Sequence, residues 1–302
     1  MAGYAACVSE LLVRTERARP HGVTGCPVCG RGGRQFRSAE DLARDLDETE
    51  EHHGAGNLKL MRTEPVPVAG CDACGTLWRA DARVWRSAER DYRNDTYAVE
   101  LLEQLHQDEV ALAQLDQPWL AAHGVGPGSR LLEVASYVGG LLTFAEEQAA
   151  VPTGVDLNGQ LVAWCRSLGL DARCGALEEL DWRGECFDSV WILNCFDQVA
   201  SPGDLLEASR RVLRTGGRLV IRTPNAAFVR AAYGGSGSLR ARALEHALWG
   251  IPHLCCYTVA AACTLVRRAG FTVEDVRARP SCHETASDED DPAWFDLTAV
   301  AC

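Results

Sequence analysis

The sequence predicts an α/β protein in which a doubly wound, mainly parallel sheet fills the carboxy-terminal part and a small four-cysteine module precedes it. Three observations carry the prediction. From about Pro127 onward, short apolar runs alternate with helical patterns of ten to fifteen residues, the signature of strand–helix–strand units. Two of the runs close on acids, Glu133 and Asp156, 23 positions apart. Towards the other end stand two Cys-x-x-Cys-Gly turns, Cys26/Cys29 and Cys71/Cys74.

Composition narrows the function classes. A chain of 302 residues has length for one large domain and one small one. Its 47% hydrophobic and 24% charged residues are those of a folded globular protein, which excludes global disorder. Lysine and arginine number 30 against 42 acids, a net charge of −12, so a phosphate backbone is repelled on average and nucleic acid is not the expected partner. No apolar run approaches the roughly 20 residues that span a bilayer, and the stretch around Leu11–Val13 is too short for a signal peptide. The expected setting is therefore cytoplasmic, with no membrane partner. Oligomeric state is not legible.

In chain order, residues 1–21 are an amino-terminal segment and 22–80 a zinc-ribbon-like module. Each Cys-x-x-Cys turn aims two thiolates at one point, and two turns complete the four soft ligands of tetrahedral zinc. The 41 residues between the pairs leave room for an inserted helix at Ser38–Glu51, with Ser38 as cap, Glu40 and Asp41 in the first turn, and Leu42 and Leu46 on one face. His52 and His53 read as exposed residues at its end. Four sulfurs leave no open position, so the zinc is structural. A redox pair normally opens a helix inside a βαβ unit, a context absent here. The chain has fourteen cysteines, and the scattered ones (Cys165, Cys174, Cys186, Cys195 and Cys263 among them) read as small buried apolar residues.

Residues 81–126 form a helical lead-in. Beyond it, strands are expected at Arg130–Val134, Thr153–Val155, Ser189–Leu193, Arg218–Arg222, Phe271–Ala278 and Trp294–Ala301. Helices are expected at Gly139–Ala150, Gly159–Leu168, Pro202–Leu213 and Thr258–Ala269, the last capped by Thr258. In such a sheet the ligand crevice lies beyond the carboxyl ends of the strands. The loop Ala135–Gly140 lets backbone amides approach a ligand there, and an acid at the end of the second strand suits ribose hydroxyls.

The segment from about Gly126 to the end resembles the class I S-adenosylmethionine-dependent methyltransferases. The matching landmarks are Leu131-Leu132-Glu133-Val134, Gly154-Val155-Asp156, Cys174-Gly175-Ala176-Leu177, Phe187-Asp188-Ser189-Val190 and Leu213-Arg214-Thr215-Gly216-Gly217-Arg218-Leu219. The cysteine module followed by Tyr92–Tyr97 looks like the subgroup with an amino-terminal zinc-binding region. The resemblance implies that residues 127–302 are a Rossmann-like methyltransferase domain whose last strand runs antiparallel. It implies S-adenosylmethionine as cofactor, with Glu133 supporting the loop and the methionine end, and with Ala135, Ser136, Tyr137 and Gly139 lining it. Asp156 would take the ribose hydroxyls, Leu157 would pack on adenine, Ala176 and Leu177 would offer backbone contacts, and Asn194 would stand near the methionine group. Two positions depart from the family pattern. Ala135 and Tyr137 replace loop glycines, and Ala176 replaces an acid that commonly binds the adenine amine.

Methyl transfer is an in-line displacement that mainly needs alignment and exclusion of water, with a base only where the acceptor must lose a proton. His253 is the preferred candidate base, ahead of Asp197, His246 and His106. The expected acceptor is a small molecule such as a sugar, a lipid-linked or a secondary-metabolite intermediate. The alternatives are a non-catalytic assembly protein with a degenerate cofactor site, and a ribosomal-RNA methyltransferase using Arg14, Arg17, Arg19, Arg31, Arg34 and Arg37 as a basic patch.

Overall fold

In the computed structural model, residues 25–41, 66–182, 186–234, 253–279 and 293–302 are described. A seven-stranded sheet organises the chain beyond residue 127, in the order β10-β11-β8-β7-β4-β5-β6. Its strands are β4 (Arg130–Val134), β5 (Val151–Asp156), β6 (Ala172–Cys174), β7 (Phe187–Leu193), β8 (Leu213–Pro224), β10 (Phe271–Arg279) and β11 (Trp294–Ala301). The pairs among β6, β5, β4, β7 and β8 are parallel, whereas β11 is antiparallel to both of its neighbours. This is the expected Rossmann-like topology with its last strand reversed.

The central strands are apolar on both faces because helices cover both. Along β7, Val190 and Ile192 join one core layer and Trp191 the other; along β4, Leu132 and Val134 oppose Leu131 in the same way. The covering helices are α4 (Gly140–Glu147), α5 (Gly159–Ser167), α6 (Pro202–Val212), α7 (Ala226–Gly234) and α8 (Val259–Arg268). Thr258 caps α8 by accepting from the Ala261 amide at 3.1 Å, as expected. The strands at Val151–Asp156 and Leu213–Pro224 are longer than their apolar runs indicate, since pairing on both edges carries polar residues into the ladder.

Ahead of the sheet run α1 (Ala82–Asn94), α2 (Val99–Leu115) and α3 (Gln117–Ala122). The cysteine module is an antiparallel sheet in the order β1-β2-β3-β9, formed by Arg34–Arg37, Val68–Gly70, Leu77–Arg79 and Cys255–Cys256. Its fourth strand comes from the far end of the chain, so the module is knitted into the larger domain. At the start of the inserted segment the Asp41 amide donates to Ser38 Oγ at 3.0 Å, and the Ser38 amide donates to Asp41 Oδ2 at 3.2 Å. The rest of the insert, with His52 and His53, lies outside the described residues, as do Arg14, Arg17, Arg19 and His246.

Candidate functional site

A cavity of about 350 Å³ opens at the carboxyl ends of β4, β5 and β7, where the doubly wound topology places a ligand crevice. Glu133, Ala135, Ser136, Tyr137, Asp156, Leu157, Ala176, Leu177 and Asn194 all line it. Gly139 does not. It stands in the left-handed region at φ 78°, and an added Cβ there would lie 2.8 Å from Leu170 Cδ1 and 3.0 Å from Cys165 Sγ. That glycine serves the seating of α4 against α5.

The loop keeps a glycine-like backbone without the glycines. Ala135 has φ 56° and Tyr137 φ 48°, both left-handed, which costs an L-residue roughly 1–2 kcal/mol. Asn194, at the end of β7, shares this conformation at φ 58°. The Tyr137 amide donates to Asp156 Oδ2 at 3.0 Å and the Asn158 amide to Asp156 Oδ1 at 2.8 Å. One carboxylate therefore clamps both strand-end loops. The Tyr137 ring turns away from its own loop and meets Tyr97 edge-on, with centroids 6.0 Å apart.

The lead-in helices roof the cavity. Asn158 caps α5 by accepting from the Gln160 and Leu161 amides, and its Nδ2 donates to the carbonyls of Tyr92 and Asp95. Tyr92 Oη donates to Gln198 Oε1 at 2.6 Å. Helix α2 presses so closely on α4 that a Cβ at Gly140 would stand 2.2 Å from Glu109 Cβ.

The electrostatics of the cavity are those of buried acids. Burial pushes Glu133 well above the ordinary carboxylate range, and Glu109 and Asp156 add to the effect. Burial likewise raises Asp156, against the pull of the amides it binds. Glu109 and Glu178, two lining acids that sequence reasoning missed, are raised mainly by burial too. Among the described residues, Glu133 Oε2, Ser136 Oγ and Asn194 Oδ1 are buried polar atoms without a hydrogen-bond partner. Such atoms are costly unless a ligand satisfies them.

Sequence reasoning also missed Arg222 and Asp116, which line the far end of the cavity. Arg222 contacts Asp116 and Asp296, each at 2.8 Å, while Arg279 contacts both aspartates at 3.1 Å. Trp119 packs beneath both guanidinium groups. No local pattern announces this quartet, whose members lie up to 180 positions apart.

His253 is buried and stands outside the lining set; its Nδ1 is hydrogen-bonded to buried Asp197 Oδ2. The Leu254 amide donates to the Asp197 carbonyl at 2.9 Å, and Arg79 Nε donates to the His253 carbonyl at 2.7 Å. The pair thus braces the Asn194–Ala200 loop from behind. His106 points elsewhere, its Nδ1 against the Val138 carbonyl at 2.8 Å.

At the second centre, the four sulfurs of Cys26, Cys29, Cys71 and Cys74 lie within 4.8 Å of one another. Cys26 and Cys74 approach to 3.4 Å and Cys29 and Cys71 to 3.5 Å. Four thiolates around zinc at about 2.3 Å stand roughly 3.8 Å apart, so the donor set fits. Both turns close alike, with the Gly30 amide donating to the Cys26 carbonyl and the Gly75 amide to the Cys71 carbonyl. Burial raises the Cys26 and Cys29 thiols, whereas the Cys74 and Ala73 amides lower Cys71 against burial.

Comparison with known proteins agrees with this geometry. Residues 132–221 match a family model described as a methyltransferase domain. The chain is 34% identical over 118 residues to a ubiquinone biosynthesis O-methyltransferase of Xylella fastidiosa, which covers 35% of this chain and 48% of that protein. It is 26% identical over 107 residues to a demethylmenaquinone methyltransferase of Tropheryma whipplei, covering 32% and 43%. The chain thus spans about half the length, or less, of the curated relatives it matches. Among solved structures, one chain of the Haloferax volcanii complex that holds the Trm112 methyltransferase activator superposes with TM-score 0.50 at 16% identity, covering 72% of this chain and 97% of that one. Residues 132–221, at the centre of the seven-stranded sheet, thus form a methyltransferase domain with the Rossmann-like fold of the S-adenosylmethionine-dependent methyltransferases.

Proposed function

We propose that the protein transfers a methyl group from S-adenosylmethionine to a small molecule, and that Cys26, Cys29, Cys71 and Cys74 hold a structural zinc. The observation that carries the reading is the set of unsatisfied buried atoms, Glu133 Oε2, Ser136 Oγ and Asn194 Oδ1, around one cavity with Asp156 at its edge. When bound, the cofactor supplies an activated methyl on a sulfonium. The chain's residues then have three tasks.

Asp156, with lone pairs to spare beyond its two amide bonds, accepts the ribose hydroxyls. Ser136 and the left-handed loop hold the methionine end, with Glu133 and Asn194 beside it. Leu157 packs on adenine, while Ala176 and Leu177 offer backbone contacts. Glu178 supplies the acid that Ala176 lacks, two residues further on. Tyr92 and Tyr97 close the roof and exclude water. His253, tied to Asp197, acts as a positioning residue for the Asn194–Ala200 loop.

A cavity of about 350 Å³ and a net charge of −12 favour a small acceptor, of the sugar, lipid-linked or secondary-metabolite kind, over RNA. The quinone-directed names of the curated relatives lie within that range. Among the described residues no helix is long and apolar enough to cross a membrane.

Calorimetric titration with S-adenosylhomocysteine tests the reading. Wild type should bind in the micromolar range, Asp156→Ala should lose binding while staying folded, and Glu178→Gln should weaken it about tenfold, the worth of one buried hydrogen bond. A folded wild type that binds no S-adenosylhomocysteine overturns the reading.

A further inference from the structure

Glu109 has no role in holding the cofactor as described above, yet it is built into the cavity. Helix α2 carries it there, and the absent side chain at Gly140 lets the two helices approach until their backbones touch. His106, one turn earlier, fixes the helix by its bond to the Val138 carbonyl. Among the described residues no side chain or amide hydrogen-bonds the Glu109 carboxylate. Around it stand Glu133 from β4, Tyr137 from the loop, Arg222 from β8 and Asp108 on its own helix. Arg222 does not neutralise it by contact, being held already by Asp116 and Asp296. Apolar Leu112, Ala113, Leu120, Leu141 and Leu193 complete this end of the cavity.

The charge balance selects the ligand chemistry. Glu89, Glu109, Asp156 and Glu178 line the cavity beside Glu133, which burial holds towards its neutral form, with Arg222 as the one lining cation among the described residues, and that cation is spoken for. An anionic acceptor, a carboxylate or phosphate, meets repulsion there, whereas an ammonium meets attraction in a low-dielectric space.

We infer that Glu109 is the acceptor-side carboxylate of the site and that the acceptor is a small apolar amine, bound as its ammonium. The inference rests on the methyltransferase reading. The ammonium gives a proton to the Glu109 carboxylate, leaving a neutral amine whose lone pair points at the methyl carbon. As the C–N bond forms, the C–S bond breaks with its electron pair staying on sulfur. The product is the N-methylated ammonium, and the proton on Glu109 leaves to solvent. Burial, which lifts this carboxyl above its ordinary value, matches it better to proton exchange near neutrality.

The test uses sinefungin, which carries an ammonium where the transferable methyl stands, beside S-adenosylhomocysteine, which carries nothing there. Both are titrated into the zinc-loaded full chain as wild type, Glu109→Gln and Glu109→Ala. Wild type should bind sinefungin about tenfold more tightly, and both variants should hold S-adenosylhomocysteine unchanged while that preference falls to within about twofold. A preference untouched in Glu109→Gln overturns the inference, as does loss of both ligands from a folded variant, which would make Glu109 part of the cofactor site. A wild type that binds neither ligand overturns the methyltransferase reading itself. Incubation with methyl-labelled S-adenosylmethionine and panels of apolar amines and phenols supplies the second arm. Labelled amines whose turnover drops at least about a hundredfold in Glu109→Gln support the inference, and labelling of phenols alone overturns it.

Discussion

Glu133 concentrates the conflict between stability and function in one side chain. It is buried, one of its oxygens has no partner, and its carboxyl stands well above the ordinary value of 4.5. The folded form therefore holds a proton that the unfolded chain has released once pH exceeds the ordinary value. Stability from this group is unimpaired below that value and declines as pH rises towards the folded pKa. Glu133→Gln should accordingly be more stable than wild type in the ligand-free state, by a margin that is larger at pH 8 than at pH 5, read as Tm at both values. Ala135 makes a second case at the same scale. Its φ of 56° is comfortable only for glycine, so Ala135→Gly should raise stability by up to about 1 kcal/mol in chemical denaturation, the relief of strain exceeding the added freedom of the unfolded chain. Tyr137→Gly should not share the gain, because the ring packs on Tyr97 and the loss of that contact offsets the relief.

Among the elements, the ends of β8, β10 and β11 and the turn between α2 and α3 meet in a buried set of charges. Asp116, Arg222, Arg279 and Asp296 are all buried, and their bonds cross between the two guanidinium groups and the two carboxylates. Burying four charges is no gain over apolar packing, but removing one member leaves the others uncompensated. Arg279→Met should cost about 3–5 kcal/mol of unfolding free energy. It should also weaken the docking of the α2–α3 roof, visible as faster amide exchange in α2 than in α5. Helix α2 has an apolar stripe carrying Leu102 and Ala113 into the core, and from the pattern alone Glu109 belongs to the solvated remainder of such a helix. Only the close contact at Gly140 shows that this acid looks inward.

For the whole molecule, the cysteine module and the methyltransferase domain act as one body. Strand β3 pairs with Cys255–Cys256, Thr258 Oγ1 donates to the Cys74 carbonyl at 2.8 Å, and Arg230 donates to the carbonyls of Gly75 and Cys71. From Leu254 the connection continues through Asp197 to the Asn194–Ala200 loop. Metal analysis should find one zinc per chain. Cys71→Ser, or prolonged chelation, should lower Tm by more than about 10 °C, since binding energy of the ion is folding energy of the turns that hold it. The loss should reach the larger domain as well, reported by the fluorescence of Trp78 and Trp85 at the interface.

The strands and helices of the sheet were legible because each carries its own signal. Apolar runs of the right length and Thr258 as a cap are local, and local rules read them. The acids at the ends of β4 and β5 were legible for the same reason, since position along a strand decides which residue ends at the crevice. The four cysteines announced themselves by spacing, and the sulfurs do converge. Tertiary structure alone decided the rest. Gly139 turned out to serve helix packing because its neighbours, Leu170 and Cys165, come from another helix and loop. His253 was placed behind the wall by a partner 56 residues away. Asp116 and Arg222 became lining groups through contacts 106 residues apart. Charge pairs, roofs and close backbone approaches are relations between distant segments, and a chain read residue by residue specifies the members without showing which will meet.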